Sequence, residues 1–170
     1  VKEKVVKDET VTLTINGNIS RSLSAIEDSL KEFAVGYLFN ENMVKSLDDI
    51  KSIEIDGPQI NVEIDDTLLK TNETVLCSDS AGGWRSKIKN VKAVVNPVES
   101  DFQVDVHELL DRIEELKNNA EIWQATGGTH VAGIVYKDQF IVKEDVSRHV
   151  AVDKVIGYGI LHEFDLKNSY

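Results

Sequence analysis

Two runs of polar residues in the C-terminal part of the sequence combine residue types that bind ligands. They are Thr126-Gly127-Gly128-Thr129-His130 and, further along, Glu144, Asp145, Arg148, His149, Asp153 and Lys154. Glycines let a backbone approach a ligand and aim N–H groups at a phosphate, although Gly127-Gly128 fits a bulge or a tight turn equally well. Core packing alone does not require this mixture of types, so the two runs predict a bound polar ligand.

The second run lies at the expected entrance of a helix, with Asp145 or Ser147 as its N-cap residue. The positive end of a helix dipole favours anions there. Arg148 and His149, together with His130, therefore predict a phosphate-bearing ligand. Glu144 and Asp145 would cap the helix or orient a histidine, while Asp153 and Lys154 fit a surface or buried ion pair.

Cys77 is the single cysteine and the single possible thiol nucleophile. A free thiol has a pKa of about 8.5, which a neighbouring cation such as Arg85 would lower and Asp79 would raise. The alternative is a small buried residue at a strand end, which is a common fate of a free cysteine.

A basic run follows the small residues 78–83 and contains Arg85, Lys87, Lys89 and Lys92. Such a run usually forms a solvated face. In an acidic protein it is also a possible docking site for an anionic group.

Composition limits the class of protein. The chain has 170 residues, 41% of them hydrophobic, and a net charge of -11, which opposes nucleic-acid binding and binding to anionic membranes. It has neither the roughly 18 to 20 consecutive apolar residues of a membrane span nor the apolar region of a signal peptide, so we expect a cytoplasmic protein. One cysteine excludes an internal disulfide framework, and four histidines make a structural zinc improbable.

Alternating apolar residues predict several hairpins. Asn16-Gly17 favours a tight turn after a strand around residues 11–15, and Gly57-Pro58 separates two further strands. We also expect strands at 71–77 and 91–95, and a hairpin at 131–142 that turns at Lys137-Asp138.

Apolar residues at helical spacing predict three helices. The first begins near Ser24 and Glu27, which have capping-box spacing, and ends near Asn40. The second is capped by Asp105 and stopped by Asn118-Asn119, and the third follows Ser147. This mixture predicts an α+β or three-layer αβα fold with a mixed sheet and an N-terminal part rich in β-hairpins.

Both polar runs resemble the motifs of a known family. Residues 126–130 resemble T-G-G-x-H, and residues 144–157 (EDVSRHVAVDKVIG) resemble E-D-V-G-R-H-N-A-x-D-K-x-x-G. The chain is thereby identified as a member of the formate dehydrogenase accessory sulfurtransferase family, FdhD. Residues 32–38 (EFAVGYL) are similar to the family's E-L-A-V-G-F-L, and the likeness covers about residues 8–162.

The resemblance implies a function and a fold. Such proteins transfer sulfur from a cysteine desulfurase, as a cysteine persulfide, to the molybdenum or tungsten bis(pyranopterin guanine dinucleotide) cofactor of formate dehydrogenase. Cys77 would then be catalytic, and Arg85 and the residues of both polar runs would bind this client cofactor, with Glu144 and Asp145 as acceptors for guanine N–H groups. The fold would resemble that of cytidine deaminases, without a tightly bound metal of its own.

Three departures accompany the resemblance. Ser80 replaces the second cysteine of the family's C-G-x-C-G loop, Ser147 replaces a glycine, and Val150 replaces an asparagine. The family's later S-G-R motif is also absent, so we expect either a fragment or a shortened relative. An open sheet edge could then pair with a second copy or a partner.

These considerations predict one domain over residues 1–170. Its parts are an N-terminal part (1–75), a thiol and basic loop (76–90) and a deaminase-like core (91–170) that is incomplete at the C-terminus. One alternative function is a non-catalytic chaperone for the molybdenum cofactor. A more remote one is a zinc-dependent deaminase-like hydrolase, for which the His-x-Glu or Cys-x-Glu and Pro-Cys-x-x-Cys motifs are missing.

Overall fold

The computed structural model describes residues 2–65, 67, 74–76, 84–86 and 98–170. Eight strands and four α-helices lie in these ranges, in the order β1 (Glu9–Ile15), β2 (Ile19–Ala25), α1 (Leu30–Asn40), β3 (Ile50–Asp56), β4 (Gln59–Ile64), β5 (Thr74–Leu76), β6 (Trp84–Ser86), α2 (Val106–Asn118), α3 (Glu121–Thr126), β7 (His130–Tyr136), β8 (Gln139–Asp145) and α4 (Arg148–Leu161), with short 3-10 helices at Leu47–Asp49 and Leu166–Asn168.

The N-terminal half contains a four-stranded mixed sheet in the order β2-β1-β4-β3. The β1–β2 hairpin turns at Asn16-Gly17, where both residues have positive φ, as the sequence predicts. The β3–β4 hairpin turns at Gly57-Pro58 and is also confirmed. The parallel pairing of β1 with β4 was not foreseen, because no local turn signal specifies a non-local strand partner.

One face of this sheet supports α1. Alternate residues of β1 and β4 point to this face and pack against α1 in a fully buried core: Val11, Leu13, Ile15, Ile60, Val62, Ile64, Phe33, Ala34 and Leu38. On the opposite face, Thr12 and Thr14 form hydroxyl hydrogen bonds with Ser22 and Ser20 across β1 and β2. The sheet thus has one apolar and one polar face.

Helix α1 begins later than its sequence pattern suggested. Ser24 lies in β2 rather than at a helix cap, and Ser29 occupies the N-cap position with a φ of 48° and without a side-chain cap hydrogen bond. The prediction of a capping box at Ser24 and Glu27 was therefore wrong. The backbone of residue 24 instead pairs with Thr10 in the β1–β2 ladder, and this pairing outweighs the local signal.

The C-terminal half is built on the antiparallel β7–β8 hairpin, which turns at Lys137-Asp138. Ile134 of β7 packs with Val155 of α4 and with Phe164 in a second apolar cluster. Helix α2 is capped as predicted, since the Asp105 carboxylate accepts hydrogen bonds from the N–H groups of His107 and Glu108.

Helices α1 and α4 join the two halves by direct backbone contact. A Cβ atom placed on Gly36 would lie 1.9 Å from the carbonyl oxygen of Asp153, and one on Gly157 would lie 1.8 Å from that of Glu32. Both values are far below any normal carbon–oxygen contact. Only glycine at both positions allows the helices to approach this closely.

The described residues have mixed α+β architecture with a mixed sheet, which confirms that part of the predicted fold class. The three-layer arrangement, the likeness to cytidine deaminases and the subdivision of the domain remain predictions. The expected strand at 91–95 lies outside the described residues, whereas β5 falls within the strand expected at 71–77. Among the described helices, none has the length and apolar character needed to cross a membrane.

Substituting Gly36 or Gly157 by alanine should destabilise the protein by about 3 kcal/mol, the upper end of the usual cost of overpacking, because the new methyl group meets rigid backbone. Urea denaturation measures the change. Gly159→Ala in the same helix is the matched control, since its Cβ would meet flexible side-chain atoms of Ile134 and Leu166 at 3.3 Å. The gain in helix propensity of about 1 kcal/mol should keep that variant near wild type. Equal losses at all three positions would contradict the close-packing argument.

Candidate functional site

The two glycines of the first polar run follow a short helix that the sequence did not reveal. Helix α3 ends at Thr126, and Gly127 terminates it in the left-handed conformation with a φ of 64°. The Thr126 hydroxyl donates to the carbonyl oxygen of Ile122 and accepts from the Gly128 N–H. The glycine pair is thus the end of a helix, one of the roles glycine commonly fulfils.

Glu144 holds this segment in place. Its Oε1 accepts a hydrogen bond of 2.8 Å from the Ile122 N–H, and its Oε2 accepts bonds of 2.7 Å from the Trp123 N–H and from the Thr129 hydroxyl. The carboxylate therefore accepts hydrogen bonds from two N–H groups at the start of α3, where the dipole of a helix favours an acid. It also binds Thr129, the residue after the glycine pair. Glu144 thus holds the first polar run in position through its hydrogen bonds and is a positioning residue in this structure.

Asp145 and Lys154 form a buried ion pair. The two side chains have no exposed surface, and Lys154 Nζ lies 2.9 Å from Asp145 Oδ2. Asp145 also accepts hydrogen bonds from the backbone N–H groups of Ile26 and Ser147, and the latter bond fixes the entrance of α4. Ser147 occupies the N-cap position but makes no side-chain cap hydrogen bond. The Asp145 carboxylate instead accepts the N–H of Ser147, one of the groups at the helix start that have no partner within the helix.

Lys154 extends the network to the segment between β2 and α1. Its Nζ donates to Asp28 Oδ1 at 2.6 Å and to the carbonyl oxygen of Ile26 at 3.2 Å. Burial raises the pKa of Asp145 above its ordinary value, while Lys154 and the two backbone donors act in the opposite direction. Since the folded protein then binds this proton more tightly than the unfolded chain, stability falls as the pH rises through the pKa of Asp145, and Lys154 reduces that loss without removing it.

Asp153, next to Lys154, is also buried and binds a residue of α1. Its Oδ1 accepts a hydrogen bond of 2.7 Å from the side-chain amide of Asn40 at the end of α1. Asp153 and Lys154 thus each connect α4 to a different part of the N-terminal half.

The remaining predicted site residues lie together at one end of the β7–β8 hairpin. His130 begins β7 and pairs with Asp145, the last residue of β8, and α4 begins three residues later at Arg148. His130 and Arg148 are exposed, and His149 is half-buried. The first turn of α4 contains no acidic residue, so its positive end adds to the charge of Arg148 and suits an anionic group.

Two of the predicted site residues cannot be placed. Cys77 lies outside the described residues, and for Arg85 only the backbone in β6 is described. Among the residues that the structure does describe, no group of three or more His, Cys, Asp or Glu side chains could hold a metal ion.

Sequence reasoning missed the segment from Ile26 to Ser29 as part of the site. Besides the contacts with Asp145 and Lys154, this segment binds Lys143, whose Nζ donates to the Ser29 hydroxyl at 2.7 Å. No motif marks these residues. They become recognisable only once the late start of α1 is known, because the short connection between β2 and α1 must then find partners for its polar groups.

Lys154→Met should destabilise the protein by about 3 to 5 kcal/mol, because it leaves the Asp145 carboxylate buried without a cation. The double variant Lys154→Met/Asp145→Leu should recover a large part of this loss. Asp28→Asn is the control: its side chain is 53% exposed, so a cost of no more than about 1 kcal/mol is expected. Chemical denaturation of the four proteins gives the values, and a double variant that is less stable than Lys154→Met would refute the pairing.

Comparison with known proteins places this chain in a family. A sequence model of the FdhD/NarQ family matches residues 6–170. The sulfur carrier protein FdhD of Methanothermobacter thermautotrophicus is 44% identical over 100% of this chain and 67% of its own length. The protein of the same name from Shouchella clausii is 29% identical over 93% of this chain and 63% of its own length.

A solved structure has the same fold. It is described as a formate dehydrogenase accessory protein from Desulfotalea psychrophila, and it superposes with a TM-score of 0.69 and 20% sequence identity. The match covers 97% of this chain and 62% of that protein. The chain spans about two thirds of the length of the relatives it matches. The family model and these relatives together show that the chain belongs to the FdhD/NarQ family.

Proposed function

We propose that this protein carries sulfur for the maturation of a formate dehydrogenase. The observation that carries the proposal is its membership of a family whose sulfur carrier proteins reach 44% identity with it over its whole length. In this proposal a cysteine desulfurase supplies the sulfur in the cytoplasm, and formate dehydrogenase receives the finished cofactor. A homodimer remains a further expectation from the sequence.

Cys77 is the proposed carrier. Its thiolate attacks the outer sulfur of the desulfurase persulfide, so that a new sulfur–sulfur bond forms on Cys77 while the bond in the donor breaks and the donor cysteine leaves as a thiolate. One persulfide replaces another, and no external oxidant or reductant is needed. When the outer sulfur is passed to the client cofactor, the sulfur–sulfur bond at Cys77 breaks, Cys77 leaves as a thiolate, and the reduced client metal supplies the two electrons that convert the sulfur into sulfide.

The client in this proposal is the molybdenum or tungsten bis(pyranopterin guanine dinucleotide) cofactor, whose phosphates require cations and N–H donors. His130, Arg148 and the start of α4 offer such groups on one exposed surface, with His149 beside them. Gly127 is exposed next to this surface with nothing within 4 Å of its Cβ position, whereas the side chain of Val6 fills the space beside Gly128. The carboxylates of Glu144 and Asp145 are engaged with backbone N–H groups, so we assign them to positioning rather than to guanine binding.

A chaperone that binds the cofactor without transferring sulfur is the second candidate. The observation that favours it is Ser80, which stands where the family motif has its second cysteine. A single cysteine suffices for a persulfide, but it cannot form a resolving disulfide within the loop. The two functions share the proposed cofactor surface and differ only at Cys77.

Incubation with a cysteine desulfurase and cysteine should add the mass of one sulfur atom to Cys77, and dithiothreitol should remove it. Intact-protein mass spectrometry detects the modification, and Cys77→Ala is the control that should stay unmodified. Ser80→Cys shows whether a second thiol speeds release. A wild-type protein that gains no sulfur, and whose Cys77→Ala variant still supports formate dehydrogenase maturation in cells, would favour the chaperone.

Arg148→Ala should weaken the binding of guanosine diphosphate by roughly 10- to 100-fold, since a hydrogen bond to a charged group contributes about 1.5 to 3 kcal/mol. Isothermal titration calorimetry measures the affinity. Lys137→Ala removes the same charge from the exposed turn at the other end of the β7–β8 hairpin and should have no effect. Equal weakening in both variants would mean that only net charge matters.

A further inference from the structure

The segment that precedes β1 lies against the glycine pair of the first polar run. Residues 2–8, called the strap below, have neither helical nor strand structure, and all of them are exposed except Val6, which is half-buried. The Val6 side chain contacts Gly128: a Cβ atom placed on this glycine would lie 2.8 Å from Val6 Cγ1 and 3.5 Å from Val6 Cβ. The strap thus covers one of the two glycines beside the proposed cofactor surface.

Gly128 lacks a side chain at the point where Val6 needs the space. Of the two glycines, only Gly127 has a positive φ, so the backbone conformation does not demand glycine at 128. A Cβ atom at 2.8 Å from Val6 Cγ1 would be closer than carbon atoms approach without a bond, so Val6 would have to shift. Val6 therefore fills the space through which a ligand would approach the Gly128 backbone.

The β1–β2 hairpin brings the strap to this position. Glu9, the first residue of β1, pairs with Ala25, the last residue of β2. The next residue, Ile26, donates its N–H to the side chain of Asp145, and the backbone of Asp145 pairs with His130. The strap therefore starts close to the end of the β7–β8 hairpin at which the predicted site residues lie, and it crosses from the N-terminal half to the glycine pair.

Few contacts hold the strap in place. At its junction with β1, the Ser24 hydroxyl donates to the Asp8 carboxylate, and Lys7 Nζ lies 2.7 Å from Glu9 Oε1. Both contacts are exposed, and exposed pairs contribute little to stability. Val6 is the one side chain of the strap that is not exposed. Segments that bury so little apolar surface open at a small free-energy cost, so the strap can leave Gly128 while the rest of the protein stays folded.

We propose that the strap is a gate, which rests on Gly128 in the free protein and moves away before a phosphate-bearing ligand reaches the glycine pair. The inference rests on the proposed function for the nature of this ligand. Because Val6 and the ligand compete for one space, the ligand binds the open form, and its apparent affinity is the intrinsic affinity multiplied by the open fraction. A change that weakens only the closed form therefore strengthens binding.

The opposite arrangement would be a clamp, in which the lysines of the strap close on a bound phosphate. The contacts in the structure favour the gate. Lys7 is already engaged with Glu9, and the Val6 contact fills the approach to the Gly128 backbone instead of leaving it open for a ligand. A gate and a clamp respond in opposite directions when the contact of Val6 is weakened.

Val6→Ala tests the proposal, because it removes the methyl group that contacts Gly128. The affinity for guanosine diphosphate, measured by isothermal titration calorimetry, should rise roughly three- to fivefold, as expected when half-buried methyl groups no longer stabilise the closed form. Val5→Ala is the matched control: it makes the same change at a side chain that is 86% exposed and should leave the affinity unchanged.

Trypsin cleavage after Lys4 reports on the strap itself, because the residues on both sides must enter the protease in extended form. Cleavage, followed by mass spectrometry, should be faster in Val6→Ala than in the wild-type protein. It should also become faster when the wild-type protein is saturated with guanosine diphosphate.

Each other outcome counts against the proposal. Weaker binding in Val6→Ala, or slower cleavage with the nucleotide, would show that the strap is a clamp. An equal gain in Val5→Ala would show that the contact with Gly128 is not involved. Unchanged affinity in both variants would overturn the gate and leave the proposed cofactor surface intact. If none of the three proteins binds the nucleotide, the gate and the proposed cofactor surface are both refuted.

Discussion

The buried ammonium group of Lys154 is the interaction on which the arrangement of the two halves depends. It stands on α4 and binds Asp145 at the end of β8 as well as Ile26 and Asp28 in the connection between β2 and α1. An uncompensated charge inside a protein costs several kcal/mol, so these partners cannot separate without a large penalty. The close contact of α1 with α4 at Gly36 and Gly157 fixes the distance at which this network can form.

Local signals predicted the hairpins and the cap of α2 correctly, because Asn16-Gly17, Gly57-Pro58 and Asp105 act within a few residues of themselves. Non-local features were not predictable in this way. The parallel pairing of β1 with β4 and the late start of α1 are decided by partners far along the chain. Helix α3 was not predicted because its six residues form fewer than two helical turns, which is too short for an apolar periodicity to be recognised.

The site was predicted as a group, and the structure separates its members by role. Glu144, Asp145, Asp153 and Lys154 direct their polar atoms into the protein, where they hold α3, the entrance of α4 and the end of α1. His130 and Arg148 reach solvent at the same end of the hairpin. Sequence spacing could place these residues near one another, but burial, which distinguishes support from contact with a ligand, depends on the tertiary fold.

The inward direction of these four charged residues affects how the family's signature is interpreted. These four polar positions of the signature respond to the requirements of folding, and a protein that lost its chemistry would still need them to stay folded. A match to this signature is therefore evidence of a shared fold before it is evidence of a shared reaction. Evidence for the reaction has to come from the few solvent-facing positions and from experiments on the thiol.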